Sequence, residues 1–394
     1  MSRPTLEVAD IIRAAGDSFI ERNREHLAWP QLKVLRAIRD CRTAALGGHL
    51  DRCSRCGHQA ISYNSCRNRH CPKCQTAARE QWLAERSQDL LAVPYSHVVF
   101  TIPHDLSALA LQNKKVLYDV LFQASAQTLI DVAVDPKYLG ARIGFLSVLH
   151  TWGQNLQHHP HVHCVVAAGG VAADGSRWVP ARSGFFLPVR VLSKVFRGKF
   201  VAALKRRFRA GKLAFHGSLR SLADHKLFNK FVRQLFRQKW VVYAKRPFGG
   251  PEHVLQYLAR YTHRVAISNH RLVAFDNGMV TFRWRDYAHR NEKRRMTLSA
   301  DEFLRRFLLH VLPRGFTRIR HFGFLANRHR ATFVPLCRQL LNEMPVAFDN
   351  STPSETARTW ACPKCAAPMI LVEKLTSQQI RSRFAGRNSF IDTS

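Results

Sequence analysis

Two histidines flank one aliphatic residue in His161-Val162-His163, and they carry the sharpest chemical signal in the chain. In an extended segment, residues two apart point to the same side, so both imidazoles face one way and Val162 the other. Pro160 favours extended geometry at His159. Two imidazoles on one side of a sheet make a platform for a divalent cation, and a two-ligand platform keeps positions open for water or substrate, as catalytic sites do. A third protein ligand is expected. His159, Gln154, Asn155 and Gln157 lie close in sequence, polar groups farther along are equally eligible, and the spacing alone does not choose among them.

A second pair, Tyr257 and Tyr261, lies four residues apart in a segment patterned as a short helix over about 251–263. On a helix their Cβ atoms stand roughly 5–6 Å apart on one face. Alone, such a pair would read as an amphipathic core stripe. Beside a cation platform it gains a chemical use. A tyrosine hydroxyl, with an ordinary pKa of about 10, is a poor nucleophile at neutral pH. A cation that polarises a phosphodiester oxygen makes its attack feasible. The resulting phosphotyrosine conserves the bond for rejoining.

Cysteines supply a third pattern. Cys53-x2-Cys56 is followed, fourteen residues on, by Cys71-x2-Cys74, a spacing that places four thiolates around one Zn²⁺. Zinc would then stabilise a segment with little apolar core of its own. Cys66 and His70 lie inside the cluster as possible extra ligands, as His159 and Gln154 do for the histidine pair. A final Cys362-x2-Cys365 has no second pair after it and is followed by Ala366-Ala367 in place of a glycine turn.

These groups must be positioned by a chain of 394 residues, of which 46% are hydrophobic, enough for a substantial core and a prior of two or three domains. Lys and Arg number 61 against 27 Asp and Glu, a net charge of +34. That excess repels itself and points to a polyanionic partner, nucleic acid first and an anionic membrane surface second. No apolar run is long enough to span a membrane. The N-terminus does not read as a signal peptide, so a cytoplasmic protein with reduced thiols is expected.

The patterns place helices within 5–48, ended by Gly47-Gly48, and over 76–92, 106–133, 188–209 and 225–245. Strands are expected over His97–Ile102, Ile143–Trp152 and Val162–Ala168. Asp276-Asn277-Gly278 is the best hairpin signal, and Ser299-x-x-Glu302 reads as a helix start. The expected organisation is a helical and zinc-binding part over 1–92, an α+β core over 93–345 and a loose tail over 346–394. Cations recur at Arg67 and Arg69 between the cysteine pairs, at Arg206 and Arg207, at Arg260 and Arg264 beside the tyrosines, and at Arg283 and Arg285 by the hairpin. All are candidate DNA contacts.

A histidine–aliphatic–histidine strand followed about a hundred residues later by a Tyr-x3-Tyr helix resembles the HUH endonucleases. The stretches Ser65–Gln75, His150–Leu156 with His159–His163, and Tyr257–Asn269 together resemble the two-tyrosine rolling-circle transposases of the bacterial insertion-sequence family ninety-one, with helitrons as distant relatives. The likeness runs from about residue 10 to about residue 345. It implies an HUH-type α+β core, a central antiparallel sheet flanked by helices, preceded by the helical and zinc-binding module. It implies Mg²⁺ or Mn²⁺ on His161 and His163, and attack by Tyr257 and Tyr261 on single-stranded DNA at element ends. The intermediate would be a 5′-phosphotyrosine and the product rolling-circle-type transposition. No Gly-x4-Gly-Lys-Ser/Thr loop is present, so strand separation would come from host replication or helicase functions, or from supercoiling. A plasmid-type replication initiator shares this chemistry. A non-catalytic, zinc-bearing DNA-binding regulator is the rival of another class. A zinc hydrolase would need a glutamate base near the pair, as in His-Glu-x-x-His, and that segment has none.

Overall fold

The computed structural model of the chain describes residues 4–182, 184, 186–248, 266–286, 289, 292–342 and 360–384. From the N-terminus, helices α1 (Val8–Arg22) and α2 (Trp29–Arg39) precede a hairpin of β1 (Gly48–Cys53) and β2 (Gln59–Tyr63), then α3 (Cys74–Ser87). The centre of the molecule follows. It comprises β3 (Tyr95–Thr101), α4 (Ser107–Gln112), α5 (Lys114–Val134), the short β4 (Ala141–Arg142), β5 (Gly144–Trp152), β6 (His158–Ala167), β7 (Gly169–Ala172) and β8 (Trp178–Pro180). Helices α6 (Val189–Arg209) and α7 (His225–Arg237) lead to β9 (Val242–Phe248). Later come β10 (Leu272–Asp276), β11 (Met279–Asp286), β12 (Glu292–Ser299), a helix over Ala300–Leu309, β13 (Ile319–Gly323), a helix over Asn327–Leu340, β14 (Met369–Leu375) and a last helix over Ser377–Phe384. This is the expected α+β class, and each strand pairing among the described residues is antiparallel. No described helix is long and apolar enough to cross a membrane.

The central sheet has five strands in the order β13-β5-β6-β3-β9, with the histidine strand β6 in the middle. Alternation along the strands divides its residues between two faces. Val98, Phe100, Phe145, Leu149, Val162, Cys164 and Val166 turn to one face and join the core built on α5 and α6. Tyr95, Leu146, Val148, Val165 and Ala167 turn to the other, which the helix over Asn327–Leu340 covers with Val334 and Cys337. His161 and His163 continue that second row beyond Val165. Strand β6 begins at His158, four residues before the apolar run, because pairing with β5 continues to Trp152↔His158.

Residues 242–248 are a strand where the sequence suggests the helix of 225–245 continuing. Helix α7 stops at Arg237 because Gln238 is extended (φ −80°, ψ 154°). Trp240 then enters the core and donates its Nε1–H to the Leu235 carbonyl at 2.9 Å.

The N-terminal helices do not form a core of their own. Val8, Ile11, Ile12, Phe19, Leu35 and Ile38 pack with Val280, Phe282, Phe303 and Phe307, so α1 and α2 share one core with residues 266–311. Arg22 clasps Asp301 through two hydrogen bonds. The hairpin signal holds: Asn277 and Gly278 both have positive φ, 49° and 72°, the geometry of the tight turns that match strand twist. Ser299 Oγ accepts from the Glu302 N–H and caps the following helix.

The tail expected to be loose is, over 360–384, built into the N-terminal module. β14 lies beside β1, with Gly48↔Leu375 and Cys53↔Met369 paired.

Candidate metal centres and nucleic-acid surface

His161 and His163 project from β6 onto one face, as their spacing requires, and a third imidazole joins them from β5. His150 sits directly across from His161 in the strand register. One ligand nitrogen from each of His150, His161 and His163 lies within 4.8 Å of the others. The ring centroids of His150 and His163 are 4.3 Å apart, those of His161 and His163 4.9 Å. His150 was not among the ligands expected from sequence. Its signal was the strand pairing, since a cross-strand neighbour of His161 on the same face must meet it.

The local hydrogen bonds prepare these rings as ligands. His161 Nδ1 lies 2.6 Å from the His159 carbonyl oxygen, which can only accept, so Nδ1 carries the proton and Nε2 the lone pair. His163 Nδ1 meets His97 Nε2 at 2.8 Å, and the two rings stack with centroids 5.0 Å apart. Burial, reinforced by neighbouring positive groups, lowers His161 to about 4, His97 to about 3 and His163 well below the ordinary histidine range. Neutral imidazoles are the metal-binding form.

Of the other expected ligands for this platform, His159 contributes its carbonyl, as above. Gln154 and Asn155 lie in the β5–β6 turn, and their carbonyls accept from Arg271 and from Arg306 (3.1 Å for the latter). Leu156 in this turn is fully buried with φ 63°, an uncommon conformation for a leucine. His310 locks it there: Nε2 lies 3.0 Å from the Leu156 carbonyl and Nδ1 3.2 Å from Thr151 Oγ1. Tyr257, Tyr261, Arg260 and Arg264 lie outside the described residues.

The cysteines contradict the expected grouping. Cys53, Cys56, Cys71 and Cys74 do not meet around one point. Cys71 and Cys74 join Cys41 and Cys66, while Cys53 and Cys56 join Cys362 and Cys365. The β1–β2 hairpin carries its own knuckle away from the Cys66–Cys74 loop, and the turn after α2 and the segment before β14 bring the missing thiols. In the first group Cys74 Sγ lies 3.5 Å from both Cys41 and Cys66. Four sulfurs about 2.3 Å from a tetrahedral Zn²⁺ stand about 3.8 Å apart, whereas a disulfide needs about 2.05 Å, so this is a metal-sized arrangement. Cys66 is therefore brought in as a member of this group.

His70 has a different use. Its Nε2 accepts from the Leu312 N–H at 3.1 Å, its Nδ1 faces Asn68 Oδ1 at 3.1 Å, and burial lowers it to about 3. Arg69 donates to the Phe316 and Pro313 carbonyls at 2.6 and 2.9 Å. Both residues fasten the cysteine loop to the segment after the Ala300–Leu309 helix, a structural use that the charge pattern did not reveal.

The other expected DNA contacts divide. Arg67 and Arg206 are exposed and Arg207 is half-buried. Arg283 and Arg285 are exposed on β11, directly opposite Arg295 and Lys293 of β12. None of these four makes an ion pair with a described residue. Like charges facing each other across strands destabilise a sheet unless an anion lies over them. The opposite side of the same ribbon, Val280, Phe282 and Leu298, faces the core.

Two family descriptions match the chain: "Putative transposase" over residues 144–332 and "Transposase zinc-binding domain" over residues 11–102. Over 384 residues it is 51% identical to the "Putative transposase y4qJ" of Sinorhizobium fredii (strain NBRC 101917 / NGR234), covering 95% of this chain and 96% of that one. Over 334 residues it is 30% identical to the "Transposase for insertion sequence element IS801" of Pseudomonas savastanoi pv. phaseolicola, covering 83% and 76%.

Proposed function

From the premise that this chain belongs to the transposases of insertion-sequence family ninety-one, we propose that it nicks and rejoins single-stranded DNA at the ends of its element through Tyr257 and Tyr261. The observation that carries this reading is the cluster of imidazoles His150, His161 and His163 on one face of the central sheet. These three would hold Mg²⁺ or Mn²⁺. That ion would polarise a phosphodiester oxygen and stabilise the charge that develops on it. A tyrosine oxygen attacks the phosphorus and loses its proton. The P–O3′ bond breaks, a 3′-hydroxyl leaves, and the 5′-phosphate stays on the tyrosine. Attack by a second 3′-hydroxyl reverses the step and joins a new pair of ends. Two tyrosines allow donor and target strands to be handled in succession, the chemistry of rolling-circle transposition. The exposed row Arg283, Arg285, Lys293 and Arg295 supports a role in holding the phosphate backbone. Host replication or helicase functions would supply the single strand.

The test is covalent capture. Labelled single-stranded DNA carrying the element ends is incubated with Mn²⁺ and resolved on denaturing gels. A metal-dependent adduct is expected. It should vanish in the Tyr257→Phe/Tyr261→Phe double variant and fall by on the order of 10²-fold in His161→Ala. An adduct that persists in the double variant, or that forms equally well without metal, would overturn the mechanism.

A further inference from the structure

The match to a zinc-binding domain ends at residue 102, so it assigns nothing to Cys362 and Cys365. The structure carries them back across the whole chain to Cys53 and Cys56. Cys53 Sγ lies 3.4 Å from Cys365 Sγ, and Cys56 Sγ lies 3.7 Å from Cys362 Sγ. All four sulfurs fall within 4.8 Å of one another. These distances approach the edge of about 3.8 Å of a tetrahedral thiolate shell around zinc.

The two pairs are also built alike. In each, the N–H two residues after the first cysteine donates to its sulfur at 3.4 Å: Arg55 to Cys53, and Lys364 to Cys362. In each, the first cysteine's N–H donates at 2.8 Å to the carbonyl five residues on, His58 for Cys53 and Ala367 for Cys362. In each, the residue after the second cysteine has a left-handed backbone, Gly57 at φ 69° and Ala366 at φ 59°. An alanine held in the turn that glycine ordinarily fills is a strained choice, kept where surrounding structure fixes it.

The N-terminal module is shaped to receive this second knuckle. A Cβ on Gly47, whose φ is 72°, would stand 2.6 Å from the Leu375 carbonyl oxygen. The carboxylate of Asp51 is buried in β1, and it accepts from Trp360 Nε1 at 3.1 Å and from Ser62 Oγ at 2.5 Å.

We infer that Cys53, Cys56, Cys362 and Cys365 bind a second Zn²⁺, separate from the Cys41, Cys66, Cys71 and Cys74 group, and that this zinc fastens residues 360–384 to the N-terminal module. The inference goes beyond the proposed DNA chemistry and does not depend on it.

Zinc released from the denatured full-length chain, counted with a chromogenic chelator, should amount to two equivalents, and to one in the Cys362→Ser/Cys365→Ser variant. In the wild type, thiol alkylation read by peptide mass spectrometry should show Cys53, Cys56, Cys362 and Cys365 protected together. As a chelator is titrated they should become reactive as one set, apart from the other four. One equivalent in the wild type, or two in the double variant, would overturn the inference. So would alkylation of Cys362 and Cys365 in the zinc-loaded chain at the rate seen in denaturant. If the double variant does not fold, the wild-type alkylation pattern decides. These measurements read zinc and thiols and not DNA, so the failure of either proposal is visible without the other.

Discussion

The imidazole cluster and the thiol clusters bring ligands together in opposite ways. His150, His161 and His163 come from two adjacent strands whose backbone hydrogen bonds and two-sided packing already fix them. The thiols are gathered from separate segments, and of the two groups only that of Cys53 has little core behind it, since Cys41 and Cys71 belong to the core of α1, α2 and residues 266–311. Cys53, Ala60, Cys362 and Met369 make a small cluster of their own, and Cys41 from the turn after α2 meets Cys66 from a loop and Cys74 at the start of α3. The contrast shows which way the dependence runs. On the sheet, the fold itself holds the ligands in place. At the cysteines, a bound ion would hold the fold.

One substitution on each side separates the two directly. Cys71→Ser should lower the melting temperature by on the order of 10 °C or more, because a structural zinc supplies several kcal/mol of folding free energy. His161→Ala should cost no more than about 1–2 kcal/mol while lowering adduct formation by on the order of 10²-fold. Calorimetry on both variants checks this, and equal destabilisation would erase the distinction.

Acid comes next, and it acts through buried histidines on both sides, His70 beside the cysteine loop and His158 and His310 beside the sheet. Burial lowers His70, His158 and His310 to about 3. Below pH 6.5 the unfolded chain takes up protons that the native rings refuse, so stability falls as pH drops from 6.5 towards 3. The slope is about 1.4 kcal/mol per pH unit for each such ring. Urea midpoints at pH 7.5 and 5.5, with zinc release followed in parallel, measure it. A flat profile with zinc retained would show that these rings are not held neutral.

His97→Ala is the smallest and sharpest case. Removing the partner of His163 Nδ1 should weaken Mn²⁺ by about 10–100-fold with little change in melting. The Mn²⁺ dependence of adduct formation reads it, and His97→Gln, which keeps a hydrogen-bonding group, should recover part of the loss. An unchanged Mn²⁺ midpoint would remove His97 from any part in holding the site.

What sequence made legible was local. The period-two pair His161 and His163, the Asn277-Gly278 turn and the Ser299 cap each depend on neighbours a few residues away, and each holds in the fold. The third imidazole was hidden because His150 meets His161 only through strand register. The grouping of the cysteines was hidden for the same reason at longer range. Adjacent pairs suggest one shared ion, whereas the folded chain gives each pair to partners up to 312 positions distant. Strand β9 was masked by the cations and aromatics of 225–245, whose helical spacing gives no warning that Gln238 turns the chain out. Arg69 and His70 looked like surface chemistry because nothing local reveals the carbonyls and N–H of residues 312–316 that meet them.

The pairing of β1 with β14 also has a consequence in time. During synthesis, β1 emerges more than three hundred residues before the strand that completes its edge. At roughly 5–20 residues per second, that edge waits for a good part of a minute with its N–H and C=O groups unpaired. A chain released after β2 but before residue 362 therefore carries an open strand edge and two unmatched thiols near its front, a form prone to aggregation.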